Sequence, residues 1–145
     1  MTQATDQEKR DAIDGFYAAF AYKDIERLRR VVTQDWEYIP DIPGGKPGAD
    51  RMVGMFATIA SAFPDLTVDI IDVLIAGDRV GVRARVKATQ SGDLLGIEAT
   101  SKPVDFAIHS FHELRGPLIA KTWHLEDWLT AFRQIGRLPP GFAEQ

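Results

Sequence analysis

The sequence predicts an α+β fold, a curved antiparallel sheet with about three N-terminal helices on its concave face. Two observations carry this. Up to about residue 63 the apolar residues recur at helical spacing; from residue 66 they alternate with polar ones at the period of a strand. Turn residues divide that second part into hairpins. Helices followed by hairpins give an α+β layout rather than an alternating parallel one.

Each element has its own signal. In "TDQEKRDAIDGFYAAFAYKD" Ile13, Phe16, Tyr17 and Phe20 make one stripe of a first helix, with Thr5 or Asp6 placed to cap it. Asp24 caps a second, shorter helix whose apolar face is Ile25, Leu28, Val31 and Val32. Trp36 and Tyr38 then alternate as in a short strand, and the Pro/Gly run from Pro43 to Gly48 reads as a loop. A third helix, "ADRMVGMFATIASAF", buries Met52, Met55, Phe56, Ile59 and Phe63 until Pro64 stops it. Two strands follow, joined by a turn at Ala76-Gly77-Asp78, and in the second of them Val80, Val82, Ala84, Val86 and Ala88 alternate with Arg79, Gly81, Arg83, Arg85 and Lys87. "SGDLLGIEATSKPVDFAIHSFHELRG" supplies a loop and a long strand, and "PLIAKTWHLEDW" supplies the last one. Asp127 is placed to cap a short helix starting at "WLTAF", which ends before Pro139-Pro140-Gly141.

Composition narrows the functions. A chain of 145 residues and 16.1 kDa is read as one domain, 1–145, long enough to bury a core. Its net charge of −4 argues against nucleic acid or an anionic membrane as partner, since phosphate binding needs a basic patch. No cysteine is present, which excludes disulfides and cysteine-based metal sites. No signal-peptide pattern and no membrane-length apolar run is visible, so a soluble, cytoplasmic protein is the expectation.

Several stretches resemble one family. "AFPDLTVDIIDVLIAGDRVGVRARV" (62–86) resembles the aFPDl…GDrV…r segment of the SnoaL-like polyketide cyclases, of the nuclear-transport-factor-two-like superfamily. "ATQSGDLLG" (88–96) is similar to that family's tGTH-x-G-x-f-x-G, with Gln90 where histidine is frequent. "FHELRGPLIAKTWHLEDW" and "FYAAFAYKDIERLRRVV" match its ending and its N-terminal helices. The resemblance implies a cone with a pocket at its open end, commonly a dimer, and cofactor-free aldol ring closure by a pocket carboxylate and a neighbouring histidine. Carried over residue by residue, the carboxylate position after Trp123 holds His124, and the partner position two before Phe111 holds His109. An acidic residue has thus become histidine, and the aldol mechanism does not transfer intact.

The chain's three histidines, His109, His112 and His124, fall within sixteen positions. Strand alternation lets His109 and Phe111 share one face, and Ala120, Thr122 and His124 one face of the next strand. Two imidazoles then meet across a hairpin, with His124 as acid/base and His109 as its partner. The bland alternative is a set of half-buried, inert side chains. His112 has the opposite parity to His109, so three histidines do not converge on a metal, and none is expected. Glu126 shares the face of His124 and is placed to orient its ring. Trp36 and Tyr38 border the expected pocket mouth, and Gln90 is placed to hydrogen-bond a ligand carbonyl. Ile119, Trp123 and Leu125 fall on the outer sheet face, where a second subunit would cover them. The reading that emerges is a cofactor-free enzyme acting on a hydrophobic, polyketide-like carbonyl compound by cyclisation, isomerisation or dehydration. A non-catalytic binding protein using the same pocket, and an interaction module working through its sheet face, are the alternatives.

Overall fold

A computed structural model of the chain describes residues 3–41 and 44–142, which leaves Pro43 of the expected loop outside the described residues. Helix α1 (Asp6–Tyr22) starts at Thr5, whose side chain accepts a hydrogen bond from the Glu8 backbone amide at 3.1 Å. Helix α2 (Ile25–Val31) starts at Asp24, whose carboxylate accepts from the amides of Glu26 and Arg27. Both caps satisfy amides that the first helical turn leaves unpaired. Strand β1 (Val32–Ile39) follows directly. A 3-10 turn (Gly48–Met52) leads into α3 (Val53–Ala62), which ends before Pro64. Strands β2 (Thr67–Ala76), β3 (Arg79–Thr89), β4 (Pro103–Arg115) and β5 (Leu118–Glu126) form the hairpins. Helix α4 (Trp128–Ile135) closes the fold, capped by Asp127.

The five strands make one curved sheet in the order β1-β5-β4-β3-β2. The expectation of a purely antiparallel sheet needs correction, because β1 pairs with β5 in parallel. A tight hairpin forces antiparallel pairing, whereas β1 and β5 are joined through the whole intervening fold, which frees their direction.

Even-numbered side chains of β3 and β4 point into the core, among them Val80, Val82, Val86, Val104, Phe106 and Leu114. Two adjoining clusters result. One joins α1, α2 and the start of α3 to β1 and the near ends of the strands; the other joins the end of α3 and α4 to the far ends. All four helices therefore lie on one sheet face. Bulges keep this consistent. One between Ile70 and Asp72 switches the inward set of β2 from Val68 and Ile70 to Val73 and Ile75. Another, at Glu113/Leu114, turns Ile119 into the core at 0% exposure, where an unbroken alternation placed it outside. Among the described residues no helix is long and apolar enough to cross a membrane.

Candidate active site

Between α1, α3 and the inner sheet face lies a cavity of about 220 Å³. Its walls are apolar, formed by Phe16, Phe20, Met55, Ile59, Leu94 and Phe106 among others. Its few polar groups are Tyr17, Tyr38, Ser110, Thr58, Glu126 and the Trp128 indole. An apolar cavity with a small set of convergent polar groups is the usual form of a small-molecule site. A larger surface groove, about 760 Å³, runs between residues 96–102 and the end of α4, but it has no aromatic wall and does not include Glu126.

Glu126 is the acidic residue among those that line the cavity. It ends β5 on the inward face, and only 16% of its side chain is exposed. The Trp128 indole N–H donates to its Oε2 at 2.5 Å, and the Tyr38 hydroxyl donates to the same carboxylate. Burial raises the Glu126 pKa above the usual carboxylate value, and these two hydrogen bonds only partly offset the effect. Burial likewise raises Tyr38, with the Glu126 charge adding to it.

His124 sits one layer behind. Its ring is stacked on Tyr38, with centroids 3.8 Å apart and planes 3° from parallel. Nδ1 lies 3.7 Å from Glu126 Oε1, beyond hydrogen-bond distance, and the Pro40 carbonyl is the ring's nearby backbone acceptor. Closing the gap into a hydrogen bond needs a shift of under about 1 Å. Burial lowers the His124 pKa, opposed by the nearby Pro40 carbonyl, so the neutral ring is favoured.

The expected pairing of His124 with His109 is not what the structure shows. His109 is exposed on the outer face and pairs with Leu125; the residue opposite His124 is Ser110. Phe111 shares that outer face at 67% exposure, away from the residues that line the cavity. His112 is instead the inward histidine, at 0% exposure. The parity of β4 was readable: Val104, Phe106, Ile108 and Leu114 alternate with Asp105, His109 and Glu113, an apolar set against a polar one. His109→Gln should accordingly leave ligand binding and stability within about 0.5 kcal/mol of wild type, as surface changes do. Binding titrations and thermal melts check this.

Four other expectations sort differently. Tyr38 lines the cavity, as does Glu126. Trp36 is fully buried beside the cavity, and its indole donates to Thr122 Oγ1 at 3.1 Å. Gln90 does not stand among the residues that line the cavity. At 0% exposure, its amide donates to the carbonyls of Gly92, Ile97 and Glu98 and accepts from the Thr100 amide and hydroxyl. It clamps the loop that brings Leu94 and Leu95 to the cavity. That loop packs so closely on α3 that a Cβ at Gly92 would fall 2.1 Å from the Ser61 carbonyl oxygen. Tyr17, Ser110 and Trp128 were not anticipated as site residues. The signal for Tyr17 was a hydroxyl on an otherwise apolar helical stripe.

The sequence profile described as SnoaL-like polyketide cyclase matches residues 11–135. The chain belongs to that family. Solved structures agree. IdmH from Streptomyces antibioticus, a candidate polyketide cyclase, is 27% identical, with a TM-score of 0.77 over 88% of this SnoaL-like chain and 98% of its own. TsrD from Streptomyces laurentii is 24% identical, with a TM-score of 0.84 over 94% of this chain and 100% of its own. AclR from Streptomyces galilaeus, a candidate hydroxylase, is 21% identical with a TM-score of 0.78, covering 93% of this chain and 89% of its own. The last two, below a quarter identity, speak to the fold alone. A comparison with curated protein sequences found no significant match.

Proposed function

We propose that this SnoaL-like protein is an acid/base enzyme that enolises a hydrophobic carbonyl compound, as the first step of a cyclisation, isomerisation or dehydration. The observation that carries the reading is Glu126: a carboxyl with a raised pKa, fixed by two donors, in the wall of an apolar cavity. The position where the family's acidic residue is expected holds His124, and the next inward position on the same strand holds a carboxylate. The carboxylate takes a proton from the carbon next to the carbonyl, and the bonding electrons move into the carbonyl to give an enolate. In ring closure the enolate carbon attacks a second carbonyl, and the new alkoxide recovers the proton from Glu126. His124, within one small shift of Glu126, is the positioning group that receives or returns that proton. A one- or two-ring ketone suits a cavity of about 220 Å³. The direct test is exchange of the α-protons of 1-tetralone for deuterium, followed by proton NMR. No acceleration above a buffer of equal pH would favour the second reading, a binding protein using the same cavity.

We also propose a homodimer built on the outer sheet face. Cross-strand register aligns Leu74, Gly81, Phe111 and Trp123 into one band across β2 to β5, and Leu74, Phe111 and Leu125 are 67–75% exposed. Gly81 leaves room for the Phe111 ring, and Arg79 and Lys121 flank Trp123. Trp123→Glu should produce monomers or insoluble protein. A wild type that sediments as a monomer at micromolar concentration removes the proposal.

A further inference from the structure

Resting on that reading, we infer that the Tyr17 hydroxyl is the cavity's carbonyl-binding group, its hydrogen aimed at ligand oxygen by a buried chain through His112, Thr122 and Trp36. The chain is continuous. Tyr17 Oη lies 3.0 Å from His112 Nε2, His112 Nδ1 lies 2.8 Å from Thr122 Oγ1, and the Trp36 indole donates to Thr122 Oγ1 at 3.1 Å. Trp36, His112 and Thr122 are 0% exposed. Of these four residues it is Tyr17 that lines the cavity, next to Ser110.

Counting donors fixes the protons. The indole N–H has no acceptor role, so it occupies a lone pair of Thr122 Oγ1. The Thr122 hydroxyl hydrogen then goes to His112 Nδ1, its remaining partner here. Burial among aromatic rings keeps the imidazole neutral, with its pKa lowered to about 3, so it carries one N–H. That hydrogen is on Nε2 and donates to Tyr17 Oη. Ser110 stands beside the phenol on the cavity wall. What remains is the Tyr17 O–H itself, facing the cavity that Glu126 also lines.

The opposite tautomer puts the hydrogen on Nδ1, leaves the Thr122 hydroxyl without an acceptor and turns Tyr17 into a donor to His112. Each tautomer leaves one hydroxyl hydrogen over. In this one it is that of Thr122, 0% exposed and off the cavity wall, where an unmade hydrogen bond costs most, whereas in the assigned state it is that of Tyr17, on the cavity wall. In the assigned state the phenol is both oriented and polarised, because an oxygen that accepts a hydrogen bond donates more strongly. Such a group prefers a ketone oxygen, and prefers the enolate oxygen more. With the carbonyl oxygen on Tyr17, the adjacent C–H is presented within the same cavity as Glu126. The ligand class is therefore an enolisable ketone with an apolar frame.

The probes are 1-tetralone labelled with carbon-13 at the carbonyl, and tetralin, the same frame without oxygen. In the wild type the bound carbonyl stretch should move below its frequency in an apolar solvent. Tyr17→Phe should reverse that movement and weaken tetralone about three- to tenfold, the loss of one hydrogen bond, while tetralin binds unchanged. Thr122→Val should reverse part of the movement with Tyr17 still present, and Thr122→Ser should keep it. An unmoved carbonyl band, equal weakening of both probes by Tyr17→Phe, or no binding of tetralone to the wild type overturns the inference. Deuterium exchange separates the two proposals. Exchange that needs Glu126 with an unmoved band leaves the enzyme reading and removes Tyr17. A moved band without exchange leaves Tyr17 and removes the enzyme.

Discussion

Glu126→Gln should lower the exchange of 1-tetralone α-protons by about 10²–10⁴-fold, the usual contribution of a positioned acid or base. Glutamine keeps the shape of the side chain and still accepts from Trp128 through its amide oxygen, but it cannot take up a proton. The wild-type rate should rise with pH through an apparent pKa above the ordinary carboxylate value of 4.5, because the active form is the carboxylate and burial delays its appearance. Stability should move the other way. A raised carboxyl pKa means that the folded chain holds a proton which the unfolded chain releases near pH 4.5. Its contribution is therefore greatest below that pH and declines as pH rises through the folded value. At neutral pH the glutamine variant should be at least as stable as the wild type, a separation of activity from stability typical of working sites. NMR exchange rates and thermal melts across pH 4–8 measure both, and a Glu126→Gln protein with full exchange activity sinks the assignment.

The wild type should lose stability steeply in acid, and His112 should be the largest single cause. The unfolded histidine takes a proton near pH 6.5, while the folded one, buried with Phe16 and Tyr17 packed edge-on against it, refuses one until about pH 3. The depressed pKa belongs to a base, so the unfolded state binds more protons between those values, and stability falls as pH falls. At about 1.4 kcal/mol per pH unit, the loss between pH 6.5 and 4.5 is on the order of 3 kcal/mol. That is a large part of the roughly 5–15 kcal/mol that holds a domain together. His124, also depressed, acts in the same direction, and Glu126 acts against it. Urea unfolding at pH 7 and pH 4.5 tests this. His112→Gln should be less stable than wild type at pH 7 and lose much less on acidification. A wild-type stability that is flat over this range removes the argument.

The elements were legible because their signals are local. The Thr5, Asp24 and Asp127 caps, the Gly77 turn and the alternation of β3 need only neighbours in sequence, and each lies where that reading puts it. The direction of β1 was not legible, since nothing in residues 32–39 states which edge they will join. The site was half legible. On β5, alternation placed His124 and Glu126 on the inner face. On β4, alternation does put His109 and Phe111 on one face, but the buried set Val104, Phe106 and Leu114 makes the other face the inner one. Gln90 shows a further limit. A polar residue in a loop reads as available, and only the fold reveals that three carbonyls and a threonine have already claimed it.

The parallel pairing of β1 with β5 also sets an order of events in time. The β2–β3 and β3–β4–β5 pairings join segments that follow one another, so the loops they close are short. Val32 cannot meet Ile119, nor Ile39 meet Trp123, until nearly all the chain between them is in place. Closing so long a loop is entropically slow, and contacts of this kind dominate the folding time of such domains. Strand β1, with Trp36 and Tyr38, can therefore gain its strand partner only once residues 118–126 are present. Glu126 arrives on that same late strand, so its carboxyl enters the apolar cavity only when β5 takes its place in the sheet.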